Sequence, residues 1–97
     1  MGRVQGKIAV VTGGALGMGK AFSLLLAREG ATVVIADIDP EHGQAAGAEI
    51  TAAGGKAMFQ RLDVADAGAW AGLAAEVDKL GGLDILVNNA GINVPGT

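Results

Sequence analysis

One stretch constrains the fold more than any other. Ile8-Ala9-Val10-Val11-Thr12 runs directly into Gly13-Gly14-Ala15-Leu16-Gly17-Met18-Gly19-Lys20. The continuous, β-branched run reads as a strand buried on both faces, the signature of a parallel sheet. Four glycines then fall within seven residues. A buried strand that empties into so many glycines is unfavourable unless something must approach the backbone closely.

The rest of the chain repeats the strand-then-helix alternation. Helical spacing over Met18 to Glu29 ends at Gly30, with Ala21, Phe22, Leu25 and Leu26 expected on the packed side. Thr32 to Asp37 reads as a second strand. Asp39-Pro40-Glu41 is a helix start: Asp caps free N–H groups, Pro lacks the N–H that would be orphaned, and Glu faces the positive helix end. That helix runs to about Ala53 and is weak, because Gly43 and Gly47 each cost about 1 kcal/mol relative to Ala. A third strand covers Lys56 to Leu62. Asp66 caps a third helix, in which Trp70, Leu73, Ala74, Val77 and Leu80 recur at helical spacing. Leu83 to Asn88 is the fourth strand. The order βαβαβαβ with short connections implies an α/β fold, a doubly wound parallel sheet of Rossmann-like type with strand order 3-2-1-4.

Length and composition narrow the function classes. The 97 residues make one domain at most, and 51% of them are apolar, so the chain carries enough hydrophobic surface to fold. Aromatic residues are Phe22, Phe59 and Trp70 only, so the core is aliphatic. Net charge is −3 with scattered cations, which argues against nucleic acid or an anionic membrane as partner. There is no cysteine, hence no disulfide framework and no thiolate metal site, and the expected location is the cytoplasm. No apolar run approaches the roughly 18 residues of a membrane span.

A glycine-rich turn between a strand and a helix is the context of a phosphate-binding site. Unpaired N–H groups of the opening helix and the positive end of its dipole attract an anion, typically by ~0.3–1 kcal/mol and up to ~2 when partly buried. Gly13, Gly17 and Gly19 are spaced G-x-x-x-G-x-G, unlike the general G-x-G-x-x-G fingerprint. The turn is not a P-loop either, because Ala21 stands where a Mg²⁺-binding hydroxyl is needed. Asp37 closes strand 2, eighteen positions after Gly19. A carboxylate there accepts both ribose hydroxyls of an adenosine and repels a 2′-phosphate. Leu62-Asp63-Val64 follows strand 3 and Asn88-Asn89-Ala90-Gly91 follows strand 4. All four features fall at strand C-termini, the edge at which open α/β sheets bind ligands.

In these features the chain resembles the N-terminal, cofactor-binding half of a short-chain dehydrogenase/reductase. The residues carrying the likeness are Thr12-Gly13-x-x-x-Gly17-Met18-Gly19, Asp37, Asp63-Val64 and Asn88-Asn89-Ala90-Gly91. The resemblance implies that Gly13, Leu16, Gly17, Met18 and Gly19 line a pyrophosphate. It implies that Asp37 and the backbone at Ile38 hold the adenosine ribose, and that Asp63 and Val64 flank the adenine. Asn89, Ala90 and Gly91 would pass beneath the nicotinamide-side ribose, with Asn88 structural. Asp37 and the non-basic Leu16 point to NAD rather than NADP.

The family's chemistry is hydride transfer between the cofactor and a secondary alcohol or ketone, steroid-like or 3-oxoacyl compounds among the candidates. It uses Tyr, Lys, Ser and usually Asn. This chain has no tyrosine, and its single serine, Ser23, falls inside helix 1, so no catalytic residue is assigned and no metal site is expected. The resemblance therefore implies that residues 1–97 are the NAD-binding part of a single Rossmann-type domain cut short after strand 4. The completed protein would be a homo-oligomer acting on a small alcohol or ketone. Strand 4 becomes an edge strand, and self-association of the isolated polypeptide is expected. Two other readings stand beside this one: a non-enzymatic nucleotide-binding module or half of a split protein, and a methyltransferase-type fold, which the Asn-Asn-Ala-Gly turn disfavours. His42 reads as a solvated side chain without a partner, and Trp70 as packing.

Overall fold

The computed structural model describes residues 4–89. Four strands and three helices alternate: β1 (Ile8–Thr12), α1 (Gly17–Arg28), β2 (Thr32–Asp37), α2 (Pro40–Ala52), β3 (Lys56–Arg61), α3 (Ala67–Lys79) and β4 (Ile85–Asn88). The strands form one parallel sheet in the order β3-β2-β1-β4, as the sequence pattern predicts. β1 is buried along its whole length, and β2 is buried between its two ends.

The two-residue period of the strands divides the core in two. Ala9, Val11, Val33 and Ile35 face α1 and α2, packing with Ala27, Ala46 and Ile50. Ile8, Val10, Val34 and Ala36 face α3, packing with Leu62, Leu73 and Val77. Ile35, Ile50 and Leu62 are fully buried, and each such side chain stabilises the fold by about 1.5–3 kcal/mol relative to exposure. The small aromatic content leaves the core aliphatic, as composition requires.

The helices start and stop where local chemistry dictates. The Asp39 side chain accepts from the His42 amide at the head of α2, and Asp66 accepts from Gly68 and Ala69 at the head of α3. Each helix closes with the same backbone bond five residues back: Ala31 to Leu26, Gly55 to Ile50 and Gly82 to Val77. The glycines before these donors, Gly30, Gly54 and Gly81, take the positive φ that such a closure requires.

Two details differ from the sequence pattern. The buried stripe of α1 is Gly19, Ser23 and Ala27, with Phe22, Leu24 and Leu26 packed beside it, whereas Ala21 and Leu25 face solvent. Small residues win that face because the helix lies close against the glycine turn. β4 begins at Ile85 rather than Leu83. Just before it, Asp84 grips the head of β1: its carboxylate accepts the Ile8 amide at 2.8 Å, and its own amide donates to the Ile8 carbonyl.

Candidate functional site

Because all four strands are parallel, their C-terminal ends lie along one edge of the sheet. Thr12 pairs in register with Ala36 and Asn88, and Asp37 with Arg61. The glycine turn, Asp37, the Asp63-Val64 loop and Asn89 therefore share that edge. Ala90 and Gly91 lie outside the described residues.

The glycine turn is held from beneath by a network that sequence reading missed. Gly13 and Gly17 adopt φ of 65° and 59°, left-handed conformations that favour glycine. The Gly13 carbonyl accepts from Asn89 Nδ2 at 3.3 Å, and the Gly13 amide donates to the Ala36 carbonyl. A Cβ on Gly19 would lie 2.0 Å from the Gly13 oxygen, so this position admits helix against turn only as glycine. Ser23, fully buried, directs its hydroxyl toward the carbonyls of Gly19 at 2.9 Å and Gly14 at 3.4 Å. Thr12 donates to Asn88 Oδ1 at 3.0 Å, which gives Asn88 the structural part expected of it. A serine one turn after a helix-opening glycine is the signal that could have exposed the Ser23 role.

Asp37 is drawn into the same turn. One carboxylate oxygen accepts the Ala15 amide at 3.1 Å and the other accepts the Asp39 amide at 3.0 Å. Each oxygen keeps a second acceptor direction beyond the one that fixes it. The neighbouring Ile38 is exposed, as are Leu16, Met18 and Val64, so the edge presents apolar side chains around a fixed carboxylate.

The electrostatics differ between the helix starts. α2 and α3 are each capped by an aspartate. α1 has no side-chain cap at Leu16 and no acidic residue in its first turn. Its ladder begins with the Lys20 amide, which donates to the Leu16 carbonyl, so the amides of Gly17, Met18 and Gly19 precede it. Lys20 itself turns to Glu49 on α2 at 2.8 Å. This start has the glycine geometry, the bare amides and the dipole that an anion needs, and the residues present suit a dinucleotide's phosphates.

His42 is not without a partner. Its Nδ1 pairs with the Asp39 carboxylate, an exposed contact within the first turn of α2. The side-chain hydrogen bond lowers the Asp39 pKa and raises that of His42. Trp70 is more than packing: its indole N–H donates to the Val64 carbonyl at 2.8 Å. Among the described residues, open clefts also lie away from this edge. One of about 420 Å³ sits between the ends of α1 and α2, and one of about 240 Å³ lies between α3 and β4.

Comparison with known proteins now places the chain. A family model described as short chain dehydrogenase matches residues 7–97, and the chain belongs to that family. It is 52% identical over 95 residues to a 2,5-dichloro-2,5-cyclohexadiene-1,4-diol dehydrogenase of Sphingobium indicum, covering 97% of this chain and 38% of that protein. It is 53% identical over 96 residues to the cyclopentanol dehydrogenase of Comamonas testosteroni, covering 95% of this chain and 37% of that protein. Among solved structures, a metagenomic short-chain oxidoreductase in complex with NADP superposes with a TM-score of 0.86 at 40% identity, over 92% of this chain and 41% of that one. The chain thus spans less than half the length of these relatives. Family membership supports a nicotinamide dinucleotide as cofactor, NAD or NADP. Among the described residues no helix is long and apolar enough to cross a membrane.

Proposed function

We propose that residues 1–97 form the NAD(H)-binding portion of an oxidoreductase that moves hydride between the cofactor and a secondary alcohol or ketone. The observation that carries the reading is the uncapped start of α1 beside Asp37: bare amides for a diphosphate, and a fixed carboxylate where the adenosine ribose would lie. Gly13, Leu16, Gly17, Met18 and Gly19 would hold the pyrophosphate. Asp37 and Ile38 would hold the ribose. Asp63 and Val64 would border the adenine, and Asn89, with Ala90 and Gly91, would support the nicotinamide ribose. The cofactor, when bound, supplies the hydride acceptor or donor.

NAD is favoured over NADP by charge. The Asp37 carboxylate would repel a 2′-phosphate, and the nearest cation along α1, Lys20, is engaged by Glu49. Both curated relatives described above are named for alicyclic alcohols, which supports a cyclic secondary alcohol as substrate of the completed protein. Residues 1–97 include no tyrosine to serve as the family's acid/base, so no catalytic residue is proposed among them. A cytoplasmic location agrees with the absence of cysteine, and assembly with further copies is expected of the completed protein.

Calorimetric titration with NAD and NADP tests the reading. The chain should bind NAD in preference to NADP, and Asp37→Arg should reverse that order. Binding of neither dinucleotide by the folded wild-type chain would overturn the nucleotide reading. An unchanged preference in Asp37→Arg would remove Asp37 from the ribose role.

A further inference from the structure

The loop between β3 and α3 is tied down at several points. The Leu62 amide donates to the Asp37 carbonyl at 2.9 Å, and the Asp66 amide to the Asp63 carbonyl at 2.9 Å. Between them, the peptide joining Val64 to Ala65 is pinned at both ends. Its N–H donates to Asp63 Oδ1 at 3.0 Å, and its C=O accepts the Trp70 indole N–H at 2.8 Å. Trp70 is the single tryptophan of the chain and is half-buried, its ring packed against the cluster around Val10, Leu73 and Val77. The ring is therefore anchored in the core while its polar edge reaches back six residues to the loop.

These contacts form a relay. The core fixes the indole, the indole orients the Val64–Ala65 peptide, and the peptide's N–H orients the Asp63 carboxylate. A carboxylate aligned in this way accepts a hydrogen bond from an exocyclic amino group and rejects a carbonyl at the same place. We propose that Trp70 is a positioning residue for base recognition: it sets Asp63 and Val64 to select the amino group of adenine. The inference rests on the nucleotide reading above and adds a residue, outside the ligand edge itself, that determines which base is taken.

The test compares NAD with nicotinamide hypoxanthine dinucleotide, which replaces the adenine amino group by a carbonyl. Affinities are measured by calorimetry on the full chain and on Trp70→Phe, which keeps an aromatic ring but has no N–H. The wild-type chain should prefer NAD. In Trp70→Phe, NAD affinity should fall three- to tenfold, the size of one neutral hydrogen bond, while the hypoxanthine dinucleotide changes less than about twofold. A purely packing role would weaken both dinucleotides equally. Should Trp70→Phe fail to fold, benzothienylalanine placed at position 70 by chemical ligation keeps the indole shape without the N–H and decides the question. Equal loss for both dinucleotides, an unaltered base preference in the N–H-free variant, or no base preference in the wild type would each overturn the proposal. None of these would touch the nucleotide reading, which falls only if the wild type binds neither dinucleotide.

Discussion

Gly19, Gly43 and Gly47 all occupy helices, where glycine costs about 1 kcal/mol relative to alanine, yet an added methyl group meets three different surroundings. At Gly19 it would strike the backbone oxygen of Gly13 at 2.0 Å, and a carbonyl held in a turn cannot move aside. At Gly43 it would meet the Phe59 ring at 2.2 Å, a side chain with some freedom to shift. At Gly47 there is nothing within 4 Å. Gly19→Ala should therefore destabilise by about 1–3 kcal/mol and Gly43→Ala by less, since overpacking outweighs the helix gain. Gly47→Ala should stabilise by about 0.5–1 kcal/mol. Urea unfolding of the three variants checks the order. Loss of stability in Gly47→Ala would show that the sequence-level view of both α2 glycines as mere weak points was wrong twice. As it stands, only Gly47 is one; Gly43 makes room for a ring that strand β3 brings from sixteen residues away, a contact no local pattern reveals.

At the scale of elements, the helix starts separate stability from function. Leu16 already has the extended backbone of a capping residue, φ −140° and ψ 162°, and its side chain is more than half exposed. Leu16→Asp should raise the stability of the ligand-free chain by about 1 kcal/mol. The same carboxylate would occupy the proposed anion site, so on that proposal NAD affinity should fall at least tenfold; thermal melts and calorimetry on one sample read both effects. A variant that gains stability and keeps its affinity would move the diphosphate away from α1. The start of α2 makes a prediction in pH. His42 has a raised pKa, so its contribution is present below its unfolded value of about 6.5 and is lost as pH rises through the higher folded value. Asp39 has a lowered pKa, so its contribution is present above about 3.9 and is lost as pH falls through the lower folded value. Wild type should exceed His42→Ala in melting temperature chiefly between these limits, the two curves converging at alkaline pH. The difference is small because the pair is exposed. The element order, the strand order and both aspartate caps were legible because each rests on local periodicity or on a residue next to its partner. The partners of Ser23, Thr12, Trp70 and Asp84 were not, because a polar side chain's role is set by what the fold delivers to it. His42 was the exception, missed although its partner stands only three residues away.

The whole molecule is covered unevenly. Among the described residues, α1 and α2 together shield one face of the sheet, whereas α3 alone shields the other. The result is the groove beside β4, lined by Val10, Leu73, Val77, Leu83 and Leu86, with Leu83 and Leu86 each 50% exposed. A right-handed crossover leaving β4 for a further outward strand, as in a longer family member, would lay its helix on this face beside α3. Among the described residues the groove adjoins an edge strand whose outer N–H and C=O groups have no neighbour in the sheet, and apolar surface next to an open edge favours pairing with a second copy. Sedimentation velocity over a range of concentrations should therefore show reversible association. Leu86→Lys, which puts a charge on the groove at the edge strand without disturbing a buried position, should shift the association to at least tenfold higher concentration while leaving NAD affinity unchanged, since the proposed nucleotide site lies at the strand ends and not on this face. A monomeric wild type at high concentration would mean that the groove is too shallow to hold a partner. A Leu86→Lys variant that associates as strongly as wild type would place the contact elsewhere, with the outer edge of β3 next to be examined.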